Sequence, residues 1–150
     1  MEYSTIYESF LSRVKDPSLL AMSSKSRKTI LEDYMKRGLA RPEVHKLFSS
    51  ISRDPDFEEI SYTLKSEYQF DDSDSADSFV EDVIVQAMAI EWMYPQVDNS
   101  VALSPYIVGG KEEKALKNTL SANLDQLKRR EVQLQKFIRN HGFYNAPAQV

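Results

Sequence analysis

Apolar residues along most of this chain recur at spacings of three and four, the period of helices with one buried face. Ile6, Phe10, Leu11 and Val14 share such a face over residues 5–14, and Thr5 and Glu8 have capping-box spacing. Asp16-Pro17 closes that helix, because the residue before proline avoids helical dihedrals. Residues 17–24 read as a connector or at most a short turn. Ile30, Leu31, Tyr34 and Met35 predict a second helix over residues 25–39. Pro42 stands at a first helical position, followed by Glu43, and Val44, Leu47, Phe48 and Ile51 give a short third helix.

Asp54-Pro55-Asp56 has the form of another helix start. Residues 57–68 fit two patterns. Phe57, Ile60, Leu64 and Tyr68 lie on a helical face, yet residues 60–64 also alternate as a strand would. Helix is the preferred reading, because everything around the segment is helical. The acidic run 71–77 reads as a loop, after which Ser78 and Glu81 cap the most apolar helix, ending at Met93 or Tyr94 before Pro95. Val101, Leu103, Tyr106, Ile107 and Val108 make the following loop, 95–110, apolar enough to require packing. The last helix is predicted over residues 111–141, roughly 45 Å at about 1.5 Å per residue. Its seam is Leu120, Leu124, Leu127, Leu134 and Ile138, interrupted by Glu131. Gly142 reads as its stop, leaving an uncharged tail, FYNAPAQV.

The predicted fold is therefore all-α: a small bundle of four or five helices over residues 1–141, with a long C-terminal helix and an extended docking tail over 142–150. A chain of 150 residues suits one domain. Its 41% hydrophobic and 28% charged residues, with only four glycines, favour a folded helical protein over a disordered one. The absence of cysteine excludes disulfides and thiolate metal sites. The opening MEYSTIYESFLSRV has no apolar core flanked by basic residues, and no run approaches the ~20 apolar residues of a membrane span. A soluble chain, cytoplasmic when made, is expected.

The net charge of −4 conceals three zones. Residues 1–53 carry ten Lys/Arg against six Asp/Glu, residues 54–100 one against thirteen, and residues 101–150 eight against four. Such zones attract one another between copies of a chain. They also permit the acidic middle to fold back on the chain's own basic flanks, and composition favours neither account.

Candidate chemistry is sparse, and no catalytic residue, metal ligand set or cofactor is assigned. His45 and His141 stand alone, with no nucleophile motif near either, and read as surface or helix-end residues. Counted from Asp72, the sixth and twelfth positions of a calcium loop fall on Asp77 and Val83, not glycine and glutamate. Gly109-Gly110-Lys111 lacks the upstream glycine of a phosphate loop. Glu91, inside an apolar helix beside Trp92, must face outward or meet a cation. Trp92, the single tryptophan, is the expected core anchor. Asp71, Asp72 and Asp74 on one side, and Lys128, Arg129 and Arg130 on the other, are the candidate inter-subunit contacts. Phe143, Tyr144 and Asn145 are the candidate docking residues of the tail.

YESFL, YMKRGLA, Phe48 with Arg53-Asp54, and FVEDVIVQAMAIEWMYPQV, followed by a loop, a long charged helix and an aromatic tail, resemble the neck proteins of tailed bacteriophages. These are head-to-tail connectors, or adaptors. The resemblance spans most of the chain in order and is strongest at IEWMYPQV. It implies a non-enzymatic helical bundle, made in the host cytoplasm and placed in the virion neck. Such proteins form a homo-oligomeric ring beneath the portal protein, contact other neck or tail proteins, and pass DNA through the lumen. On that implication Phe143, Tyr144 and Asn145 dock on the portal, the charge zones join neighbours, and residues 71–77 suit a lumen with only passive contact to packaged DNA. No membrane is involved. Head closure or tail completion, or a helical regulator binding protein or nucleic acid through Lys128, Arg129 and Arg130, are the alternatives.

Overall fold

A computed structural model describes residues 1–103 and 109–145. Among them, six α-helices and one two-stranded sheet make the fold mainly α, not all-α as predicted. Helix α1 (Tyr3–Arg13) buries Tyr3, Ile6, Tyr7 and Phe10. Asp16 then starts the single turn of α2 (Pro17–Ala21), accepting from the Ser18 amide at 3.0 Å ahead of an N1 proline. The hydroxyl of Ser23 caps α3 (Ser24–Ala40) through the Ser26 N–H, one residue beyond the predicted bounds at each end. Pro42 opens α4 (Pro42–His45).

The predicted third helix ends there, six residues short of Ile51. The chain instead enters β1 (Phe48–Asp54), antiparallel to β2 (Glu59–Leu64), and a 3-10 turn follows at Ser66–Tyr68. Residues 57–64 thus belong to the hairpin and 66–68 to a 3-10 turn, and the helical reading of 57–68 is corrected. Alternation wins: Ile60 and Leu64 are buried with Tyr62 half-buried between them, while Glu59, Ser61 and Thr63 are exposed. The supposed helix start at Asp54 is the hairpin turn. Its Oδ1 accepts from the N–H groups of Asp56 at 3.0 Å and Phe57 at 3.2 Å, and Glu58 takes a left-handed φ of 52°. The other edge of β2 is covered by the first residues of the chain. Met1 donates its amino group to the Ile60 carbonyl at 2.9 Å and accepts from the Ile60 N–H at 2.7 Å, while Tyr3 N–H reaches the Glu58 carbonyl at 2.8 Å.

Helix α5 (Ser73–Leu103) starts five residues before the predicted Ser78 cap. Asp72 caps it, accepting from the Ser75 N–H at 2.7 Å and its hydroxyl at 2.9 Å. Most of the acidic run is therefore helix rather than loop, set at the positive end of the dipole. The helix also passes through Pro95, which was predicted to end it. Proline removes the N–H that would bond the Glu91 carbonyl, but Met93 before it is buried and Val97 beyond it packs on the core. Within α5, Val80, Val83, Ile84, Ala87, Met88 and Ile90 have no exposure, and the helix packs on α1, α3 and α4. At Gly38 of α3 a Cβ would lie only 3.1 Å from that of Ala87, so glycine sets the closeness of this crossing.

Helix α6 (Gly110–Asn145) packs antiparallel-fashion along the sequence-adjacent α5 and buries Leu127, Leu134 and Ile138. It continues through Gly142, which was predicted to stop it, to Asn145. An internal glycine costs a helix only about 1 kcal/mol. The extended tail predicted from 142 therefore begins no earlier than 146. Residues 146–150 lie outside the described residues, as do residues 104–108 and the packing expected of the side chains of Val101 and Leu103.

Candidate interaction surface

The interior accepts charge at one junction of α4, α5 and α6. The Arg41 side chain is 16% exposed, and its Nε lies 2.6 Å from Glu43 Oε1. Its Nη1 lies 3.2 Å from Glu91 Oε1, and its Nη2 3.9 Å from Glu131 Oε1. The Tyr94 hydroxyl accepts from Arg41 at 3.2 Å and donates to Glu131 at 3.2 Å. Burial alone would lower the guanidinium pKa, but hydrogen bonds to Tyr94 and Glu43 outweigh it and raise it. Glu91 thus meets a cation of its own chain, and Glu131 interrupts the α6 seam to reach the same group. This junction clamps three helices.

The histidines have separate surroundings. His45 is exposed at the end of α4. His141 lies 4.2 Å from the ring of Phe70 and 4.0 Å from that of Phe79, centre to centre. Its Nε2 is 2.9 Å from the Tyr68 carbonyl, which only accepts, so that nitrogen carries the proton. Among the described residues, no group of three His, Cys, Asp or Glu is placed to hold a metal ion, and no helix is long and apolar enough to cross a membrane. A cleft of about 250 Å³ between β2 and the start of α5 is lined by Tyr62, Leu64, Phe70, Asp72 and Ala76.

Trp92, the expected core anchor, sits half-buried at the margin of the core, where its indole N–H donates to Asp16 Oδ2 at 2.8 Å. Asp71, Asp72 and Asp74 are exposed around the start of α5. Hydrogen bonds from the Ser75 amide and hydroxyl hold the Asp72 carboxyl below its ordinary range. Lys128 and Arg129 are exposed, but Arg130 turns inward. Its Nε is buried with no hydrogen-bond partner among the described residues, and desolvation lowers its pKa. The predicted basic triplet is therefore split between two faces. The helical backbone of α6 includes Phe143, Tyr144 and Asn145, whose side chains lie outside the described residues.

The two basic zones differ in how they pair. Arg13 pairs with Asp82, Lys28 with Glu58 at 3.9 Å, and Arg41 with Glu91, so the N-terminal basic flank folds onto the acidic middle. The C-terminal flank does not. Lys111, Lys114, Lys128, Arg129, Lys136 and Arg139 are exposed and form no ion pair among the described residues, while Lys117 meets only Glu113 of its own helix. Asp54, Asp56, Glu59, Asp71 and Asp74 are likewise exposed and form no ion pair among the described residues. No protein-family model matches this chain. No curated protein and no solved structure matches it either.

Sequence reasoning missed Arg41, which joins the nearby Glu43 to Glu91 and Glu131 from distant segments. It also missed Phe57, which it placed on a helical face with Ile60 and Leu64 and which is 77% exposed at the hairpin tip. The clustering of Asp54, Asp56, Glu58 and Glu59 around that residue was its available signal.

Proposed function

We propose that this chain is a structural subunit, built as a helical bundle with a small hairpin, that assembles into a ring joining the portal of a tailed-phage head to the tail. The observation that carries this reading is the pair of oppositely charged surfaces left unpaired within one chain, the outer face of α6 and the acidic surface of the hairpin turn and α5 start. Opposite surfaces on one subunit associate head to tail, and such contacts close into rings when the rotation allows. The pattern of YESFL, YMKRGLA and IEWMYPQV, similar to neck proteins, supports the phage setting. In that setting the C-terminal aromatics Phe143 and Tyr144 engage the portal, the ring passes DNA, and the protein resides in the virion neck.

Light scattering of the full chain, alone and mixed with the portal encoded by the same genome, tests this. A ring-sized complex that is lost on deleting residues 143–150 is the expected result. A chain indifferent to the portal overturns the connector reading. The exposed cations of α6 also favour a second reading, a helical regulator that binds nucleic acid. It requires duplex binding that weakens steeply with salt, because phosphate contacts release counterions.

A further inference from the structure

Phe57 occupies a stiff projection. The Asp54 carboxylate holds the amides of Asp56 and Phe57, and residues 1–3 pair with β2 directly behind the turn. A side chain presented this way loses little freedom on docking. Asp54, Asp56, Glu58 and Glu59 flank it and are exposed, and among the described residues only Glu58 of these meets a cation.

Val132 has the opposite setting. It is 47% exposed on the outer face of α6. Lys128 and Arg129 lie one turn before it, Lys136 one turn after and Arg139 two turns after. All are exposed and without ion pairs among the described residues. One surface is an aromatic side chain among carboxylates; the other is an aliphatic side chain among cations. The exposure of both shows that they do not meet within one chain.

We infer that the hairpin tip of one copy docks on the outer face of α6 of the next copy, with Phe57 against Val132. Asp54, Asp56 and Glu59 then face Lys128, Arg129 and Lys136. Tip and patch are different surfaces, so each copy offers one of each and the contact is heterologous. This rests on the ring reading and supplies its neighbour contact. Association weakens with salt, because rim charges are screened.

The test is sedimentation velocity of the full chain over a concentration series at low and high salt, for the wild type, Phe57→Ser, Arg129→Glu and a mixture of the two variants. The wild type is expected to self-associate. Phe57→Ser should weaken association ~30-fold, about 2 kcal/mol at roughly 1.4 kcal/mol per tenfold. Arg129→Glu should weaken it at least ~10-fold. Neither change touches the core, so thermal melts should match the wild type. In the mixture, one variant keeps its patch and the other its tip, so pairs form and grow no further. A wild type that stays monomeric to about 1 mM at low salt overturns the inference. So does an oligomer insensitive to both variants, which leaves the ring standing on another contact; the portal experiment judges the connector reading separately. Binding of a DNA duplex that is lost in Arg129→Glu, without self-association, would assign the basic face to nucleic acid and also overturn the docking.

Discussion

Trp92 joins two distant segments through one hydrogen bond, and its acceptor has a second task. Asp16 starts α2 through Ser18 and receives the indole N–H. Burial pushes its carboxyl up, but the bonds from Ser18 and Trp92 more than offset this, and the folded pKa falls below the ordinary value. A depressed carboxylate contributes stability that is present above about pH 4 and lost as pH falls through the lower folded value. Trp92→Phe should therefore cost about 1–2 kcal/mol at pH 7 by urea unfolding, with the cost shrinking in acid as pH falls through the lowered folded value and Asp16 protonates in the wild type too. At this scale the sequence marked the unusual residues but not their partners. Glu91 was visibly out of place in an apolar helix, whereas Arg41 lies fifty residues away, and Asp16 seventy-six from Trp92. Local spacing carries no record of such pairs.

Among the elements, α3 and α5 meet at a crossing set by the absence of a side chain. Gly38→Val should destabilise the chain by about 2 kcal/mol or more, since its first added carbon already crowds Ala87 Cβ at 3.1 Å and the backbone behind it. Thermal melts will show this as a lowered Tm. Pro95→Ala should act the other way, by about 1–3 kcal/mol, because it restores an N–H where α5 remains helical. A lowered Tm would mean that the ring of Pro95 packs in a way alanine cannot replace. Helices α1, α3 and most of α5 and α6 were legible because a repeated period of 3.6 averages over many residues. The hairpin was not, because Ile60 and Leu64 satisfy both periods and helical neighbours do not forbid a short sheet. The true start of α5 was hidden by polar composition, which resembles a loop until Asp72 is seen capping.

For the whole molecule, the three charge zones were plain in the sequence, but not which of them close on each other. The fold pairs the N-terminal flank with the acidic middle and leaves α6 unmatched, so the open choice between internal and external pairing divides by zone. Among the side chains of α6 that the structure describes, Ile138 is the last that is buried, with His141 stacked just beyond. Deleting residues 143–150 should therefore leave the far-ultraviolet circular dichroism and the Tm nearly unchanged, within about 0.5 kcal/mol. A large loss of stability would place those residues in the subunit's own fold.

The pairing of Met1 with Ile60 and the packing of α1 on α5 bear on how the chain is made. During translation residues 1–13 emerge before their backbone partners in β2 and their apolar partners in α5. Tyr3, Ile6 and Phe10 stay uncovered on the nascent chain until both have left the ribosome. Packing of α1 consequently waits on the synthesis of β2 and α5, and α1 stays open to chaperones over that interval.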